Sequence, residues 1–135
     1  MEIYYTLKEI DSVAKKICDS LDHPIVAFNG AMGSGKTTLI KSICKYLKFK
    51  ENISSPTFSI VNTYKNSSNE IIHHFDFYRL KSFVEALDIG VDEYLDSGNR
   101  CFMEWSEKIS PLLNYPINKL KIDIITDFER KIQLY

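Results

Sequence analysis

Ile25-Val26-Ala27-Phe28-Asn29-Gly30-Ala31-Met32-Gly33-Ser34-Gly35-Lys36-Thr37-Thr38-Leu39-Ile40 decides how the rest of the chain reads. Gly30 to Thr37 has the G-x-x-x-x-G-K-[ST] spacing of a phosphate-binding loop at each fixed position. Upstream, residues 25–28 form a short apolar run suited to a buried strand. Downstream, Leu39, Ile40, Ile43, Cys44 and Leu47 recur at helical spacing. Strand, glycine loop and helix are the context this motif needs. The glycines leave room for the backbone to fold around a phosphate. The loop amides and the first free N–H groups of the helix then face the anion, and the helix dipole adds to them. In this pattern Lys36 reaches the β- and γ-phosphate oxygens, and the Thr37 hydroxyl ligates magnesium.

Outward from the loop, 135 residues at 44% hydrophobic composition are enough for one domain, residues 1–135, with a single core. A net charge of −1 leaves no broad basic surface for holding a nucleic-acid backbone, DNA included. No apolar stretch of about 18 residues exists to span a membrane. The opening residues lack the pattern of a signal peptide. Cys18, Cys44 and Cys101 are odd in number and far apart, which predicts reduced thiols in a cytoplasmic protein.

The coarse pattern alternates strand and helix. Residues 1–5 read as a strand. Thr6-x-x-Glu9 has the form of a capping box before a helix running to about Leu21. Residues 57–64 and 71–76 read as strands joined by the turn Asn66-Ser67-Ser68-Asn69, antiparallel to each other. Residues 83–87 read as a short helix closed by Gly90. Residues 100–104 form an apolar strand, followed by a helical stretch broken at Pro111 and Pro116. Leu120, Ile122 and Ile124 alternate with polar residues in a half-buried strand, with residues 131–135 as its hairpin partner. The sum is an α/β domain with a mixed, partly parallel central sheet and helices on its faces.

Ligand sites of parallel sheets lie at the carboxyl ends of strands. The phosphate loop falls there, and so do Asp76 and Glu104. Glu104, after Cys101-Phe102-Met103, is the nearest equivalent of the acid that serves magnesium in such sites. Asp76 either orients water or binds metal through water, or else caps a turn. His73 and His74 are adjacent, so a strand turns them to opposite faces and cannot gather both on one ligand. Trp105 is either a core residue or a partner contact.

The base reader Asn-Lys-x-Asp of guanine-specific proteins is broken. Asn118-Lys119-Leu120-Lys121 carries Lys where the Asp must stand, and no Asp precedes a Gly by three positions. With three arginines, Arg79, Arg100 and Arg130, the chain is also thinly equipped to surround a phosphoryl group in transfer. That points to a nucleotide switch or a slow ATPase completed by a partner.

These residues together resemble the TsaE family, the small ATPases of bacterial threonylcarbamoyladenosine synthesis in tRNA. The resemblance lies in Gly33-Ser34-Gly35-Lys36-Thr37-Thr38, Ser55-Pro56-Thr57-Phe58, His74-Phe75-Asp76-Phe77-Tyr78-Arg79-Leu80, Glu85-x-Leu87-x-x-Gly90 with Tyr94, and Glu104-Trp105-x-Glu107. It covers nearly the whole chain. It implies a compact P-loop NTPase fold that binds ATP and Mg, with Lys36, Asp76 and Glu104 as catalytic residues. Thr6, Gly33, Ser34, Gly35, Lys36, Thr37, Thr38, Thr57 and Arg130 would contact the nucleotide, Thr57 from a switch that senses the γ-phosphate. Thr37 and Glu104 would lie at the metal. It further implies an ATPase that is weak alone and acts with the TsaD–TsaB complex, reaching tRNA only through that complex. Two other readings remain open at this stage: a phosphotransferase for a small hydroxylated metabolite, which would form a phosphorylated product together with ADP, and a nucleotide-dependent interaction module without turnover.

Overall fold

The structure, a computed structural model, describes residues 1–56 and 59–135. Its strands are β1 (Glu2–Thr6), β2 (Ile25–Gly30), β3 (Val61–Lys65), β4 (Ile71–Asp76), β5 (Arg100–Glu104), β6 (Asn118–Ile124) and β7 (Glu129–Leu134). Its helices are α1 (Ile10–Asp19), α2 (Lys36–Tyr46), α3 (Phe83–Asp88) and α4 (Val91–Asp96), with 3-10 segments at Leu7–Glu9 and Ser106–Leu112. The strands form one sheet in the order β1-β7-β6-β2-β5-β4-β3. The central four, β6-β2-β5-β4, are parallel, and the flanking strands pair antiparallel.

The period of two along each strand sorts its side chains between two cores. Val26, Phe28, Ile72, Phe102, Leu120 and Ile122 face α1 and α2, where they bury Ile17, Leu39 and Ile43. Ile25, Ala27, Phe75, Cys101 and Met103 face the other way, onto Ala86 of α3, Val91 and Leu95 of α4, and Ile109. Both faces of the parallel strands are thus covered, which is why β2 and β5 read as unbroken apolar runs rather than alternating ones. Phe28 and Phe102 meet edge-on at 5.5 Å on the α1–α2 side.

Several expectations are met and several shift. β4 and β5 have the bounds read from the sequence, and β3 and β4 pair antiparallel as expected. β3 begins at Val61, while Thr57 and Phe58 lie outside the described residues. Gly90 closes α3, yet its left-handed φ of 77° also starts α4, a helix the sequence reading missed. Ile124 was expected on the buried stripe of β6 but is 47% exposed, outside the core cluster that holds Leu120 and Ile122. Asn118, the start of the broken guanine-reader pattern, has a structural task. Its Oδ1 accepts the backbone N–H groups of Asp22 and His23, both at 2.9 Å, and ties β6 to the turn before β2. The three cysteines are free, and burial pushes the Cys44 and Cys101 thiols up to about 12, which leaves both unreactive near neutral pH. No described helix is long and apolar enough to cross a membrane.

Candidate functional site

The phosphate loop leaves the carboxyl end of β2 and turns directly into α2. Gly30 has no room for a side chain: a Cβ there would lie 2.5 Å from Ser34 Oγ and 2.9 Å from the Ile122 carbonyl. Gly35 stands at the N-cap of α2 with φ 104°, in the left-handed region that strains any other residue. The first turn of α2 therefore opens its free N–H groups onto the loop. Lys36 is the first residue of that helix and is 6% exposed. Its ammonium donates to the Gly30 carbonyl at 2.7 Å and sits 3.7 Å from the centre of the Trp105 ring. Burial lowers its pKa, and the carboxylates of Glu104, Glu107 and Asp76 oppose that shift.

Strand register brings in the acids. β4 and β5 run parallel with Asp76 opposite Glu104, so both carboxylates emerge at one end of the sheet beside the loop. Their position in the alternation puts them on the α2 side, the same side as Phe102. The Thr37 hydroxyl lies 3.0 Å from each Glu104 oxygen. Ser55 joins the cluster: its Oγ is 3.2 Å from Thr37 Oγ1, 3.3 Å from Asp76 Oδ2 and 3.4 Å from Glu104 Oε2. Asp76 Oδ1 also accepts the backbone N–H of Tyr78 at 3.0 Å, so Asp76 both caps a turn and faces the cleft. From behind, His74 Nε2 lies 2.7 Å from Glu104 Oε2.

Thr37, Ser55, Asp76 and Glu104 line a cleft of about 310 Å³ together with Lys36, Tyr78 and Trp105. Two hydroxyls and two carboxylates make a set of hard oxygen donors. That chemistry fits magnesium, which takes few protein ligands and fills its remaining positions with water and phosphate oxygens. Among the described residues no group of three or more His, Cys, Asp or Glu could hold a metal.

On the other side of the loop lies a larger hollow of about 670 Å³, lined by Tyr5, Thr6, Leu7, Ile10, Gly33, Ser34, Gly35, Thr38, Phe128 and Arg130 among others. Leu7 and Phe128, 69% and 83% exposed, give it apolar walls open to water. Arg130 on β7 bonds through Nε to the Ser34 carbonyl at 3.1 Å, and through Nη1 to the Thr126 carbonyl at 2.7 Å. The Thr6 N–H and hydroxyl both donate to Glu9 Oε1, at 2.9 and 3.1 Å.

Lys36, Thr37, Asp76 and Glu104 thus meet at the cleft, Thr6 and Arg130 at the hollow, and Gly33, Ser34, Gly35 and Thr38 line both. Thr57 lies outside the described residues. Sequence reasoning missed the Ser55 hydroxyl and the partner of His74. Ser55 carried a signal in its place within Ser-Pro-Thr. The pairing of His74 with Glu104 becomes visible only once β4 and β5 are in register.

A phosphate loop between a buried parallel strand and a helix, with an acid at the end of the adjacent strand, defines the P-loop class of nucleotide-binding α/β proteins. Residues 4–132 match the family model described as threonylcarbamoyl adenosine biosynthesis protein TsaE, and the chain belongs to that family. Among relatives named tRNA threonylcarbamoyladenosine biosynthesis protein TsaE, one from Rickettsia felis is 39% identical, over 91% of this chain and 72% of its own length. Another, from Haemophilus influenzae, is 36% identical over 82% and 68%. The crystal structure of Bacillus subtilis YdiB superposes with a TM-score of 0.72 at 25% identity, covering 99% of this chain and 84% of that one.

Proposed function

We propose that this protein is a magnesium-dependent ATP-binding and ATP-hydrolysing subunit required for threonylcarbamoyl modification of adenosine in tRNA. It works as a single domain spanning residues 1–135, in the cytoplasm, on the TsaD–TsaB complex. It reaches tRNA only through that complex. The observation that carries the reading is the Thr37 hydroxyl held against both Glu104 oxygens at the mouth of the phosphate loop.

In this reading the loop amides and Lys36 bind the β- and γ-phosphates. Lys36 exchanges the Gly30 carbonyl and the Trp105 ring for phosphate oxygens. Thr37 and Glu104 hold magnesium, which when bound neutralises charge building on the phosphate oxygens. Asp76 accepts a hydrogen bond from the attacking water and orients it at the γ-phosphorus. The water oxygen bonds to the γ-phosphorus as the P–O bond to the β-phosphate breaks, leaving ADP and inorganic phosphate and releasing the water's proton to solvent. Thr38 and Arg130 flank the phosphate side of the hollow, and Thr6, Leu7, Ile10 and Phe128 take the nucleoside. Thr57 senses the γ-phosphate. The net charge of −1 agrees with a subunit that does not grip tRNA by itself.

The test is phosphate release from ATP with magnesium, with and without the TsaD–TsaB pair of the same organism, using Lys36→Ala as the blank. Slow release that rises with the pair and vanishes in Lys36→Ala is expected. Full-rate release indifferent to the pair would overturn the accessory role. Absence of release in every mixture would overturn the hydrolase.

A further inference from the structure

We propose that His74 is a positioning residue for Glu104. It fixes one carboxylate oxygen from the buried interior on the α2 face of the sheet so that the other is presented to the magnesium site. The inference rests on the metal reading above.

The placement follows from strand geometry. His74 lies two residues before Asp76 on β4, and the register sets it opposite Phe102. Glu104, two residues beyond Phe102 on the same face, is therefore its diagonal neighbour. The ring is fully buried, and Nε2 lies 2.7 Å from Glu104 Oε2. A carboxylate offers only lone pairs, so Nε2 donates. The other groups near Glu104, the hydroxyls of Thr37 and Ser55, can rotate and lie at the cleft. They can turn a lone pair to a cation and release the carboxylate. His74 has no such freedom and approaches from the side away from the cleft, so its bond survives cation binding. With Oε2 tied down, Oε1 is the oxygen left to face the metal or a water on it. Buried partners of this kind orient metal-binding side chains and tune their affinity.

Stability does not explain the ring. Nδ1 of His74 is buried and has no hydrogen-bond partner among the described residues. Leaving a buried polar atom unpaired is destabilising, and a phenyl ring of similar shape would remove the defect. A histidine at this point serves the one bond it makes.

The experiment measures ADP affinity of the whole protein by calorimetry, with magnesium and with EDTA, for wild type, His74→Phe, His74→Gln and Glu104→Ala. His74→Phe, which keeps the volume and loses the donor, is expected to reduce the magnesium-dependent gain in affinity about tenfold. Its magnesium-free affinity and thermal midpoint should stay near wild type. His74→Gln, with an amide donor, should recover part of the gain, and His74→Phe should remove nothing further in the Glu104→Ala background. A wild-type magnesium response in His74→Phe, or an equal loss with and without the metal, would overturn the inference while leaving the metal reading intact. So would an undiminished effect in Glu104→Ala. If wild type itself gained no affinity from magnesium, the metal reading would fall and the inference with it. Should His74→Phe not fold, His74→Leu makes the same comparison.

Discussion

On the face of β4 that meets α4, His73 has both ring nitrogens engaged. Nδ1 lies 2.8 Å from Thr63 Oγ1, Nε2 lies 3.2 Å from the Asn99 amide nitrogen, and the ring stands edge-on to Tyr94 at 4.7 Å. One residue on, facing α2, His74 has one short bond to Glu104 and one buried nitrogen with no partner. The same side chain, on the same strand, is completed on one side of the sheet and left incomplete on the other. A polar group with every partner in place serves the fold. A group that keeps a defect for the sake of one contact with a cleft carboxylate serves the site. The α3–α4 face is built for stability, and the α2 face gives some of it up for chemistry.

The sharpest way to break this division is through the α2 face. Lys36→Ala should lower ATP hydrolysis by at least about a hundredfold, as loss of a group that stabilises developing charge does, and should weaken nucleotide binding. Its thermal midpoint should change little. A full-rate variant in a phosphate-release assay would remove the site from this face. Asp76→Ala should reduce turnover by about a hundredfold, the lower end of the range for a positioned acid or base, with a smaller effect on ADP affinity. Equal losses in both would make it a binding residue.

On the opposite face the effect should move from rate to stability. His73→Leu strands the Thr63 hydroxyl and the Asn99 amide and should lose about 1–3 kcal/mol in urea denaturation, with nucleotide affinity untouched. The pH dependence has a definite sign. Burial holds the His73 pKa below the ordinary 6.5. As pH falls below that value the unfolded chain takes up a proton that the folded chain resists. His73 therefore stabilises the fold fully above that pH and less as acid is added, with a slope of at most about 1.4 kcal/mol per pH unit. Denaturation of His73→Asn across pH 5 to 8 should show a flatter curve than wild type. The smallest change belongs to His74→Phe, whose stability should stay within about 1 kcal/mol of wild type or rise, since the unpaired nitrogen disappears. A large loss there would make the two histidines alike and erase the contrast.

The sequence carried the phosphate loop, β4, β5 and the two acids because each is a local signal: fixed glycine spacing, an apolar run, an acid at its end. What it could not carry depends on distance. His74 and Glu104 are far apart in the chain and meet only through the β4–β5 register. Ser55 precedes a proline and reads as turn until its hydroxyl is seen between Thr37, Asp76 and Glu104. Arg130 enters the sequence reading as a site residue only through the family resemblance, until β7 is placed beside β6, which carries it to the Ser34 carbonyl. α4 was hidden because Gly90 ends one short helix and begins another, and each is too short for its periodicity to stand out.

The hollow beside the phosphate loop is walled by Tyr5 and Thr6 from the first strand, Gly33 to Gly35 from the loop, and Arg130 from the last strand. Because β1 pairs with β7, the first strand has no partner in the sheet until the last has been made. During synthesis β2, β4 and β5 are made before β6, whereas this hollow must wait for the pairing of the first strand with the last. Such long-range closure is slow, because a large chain loop must be ordered before the contact rewards it. The hollow is therefore complete only once β1 and β7 have paired. Whatever binds the hollow of the folded chain would favour that closed edge by mass action.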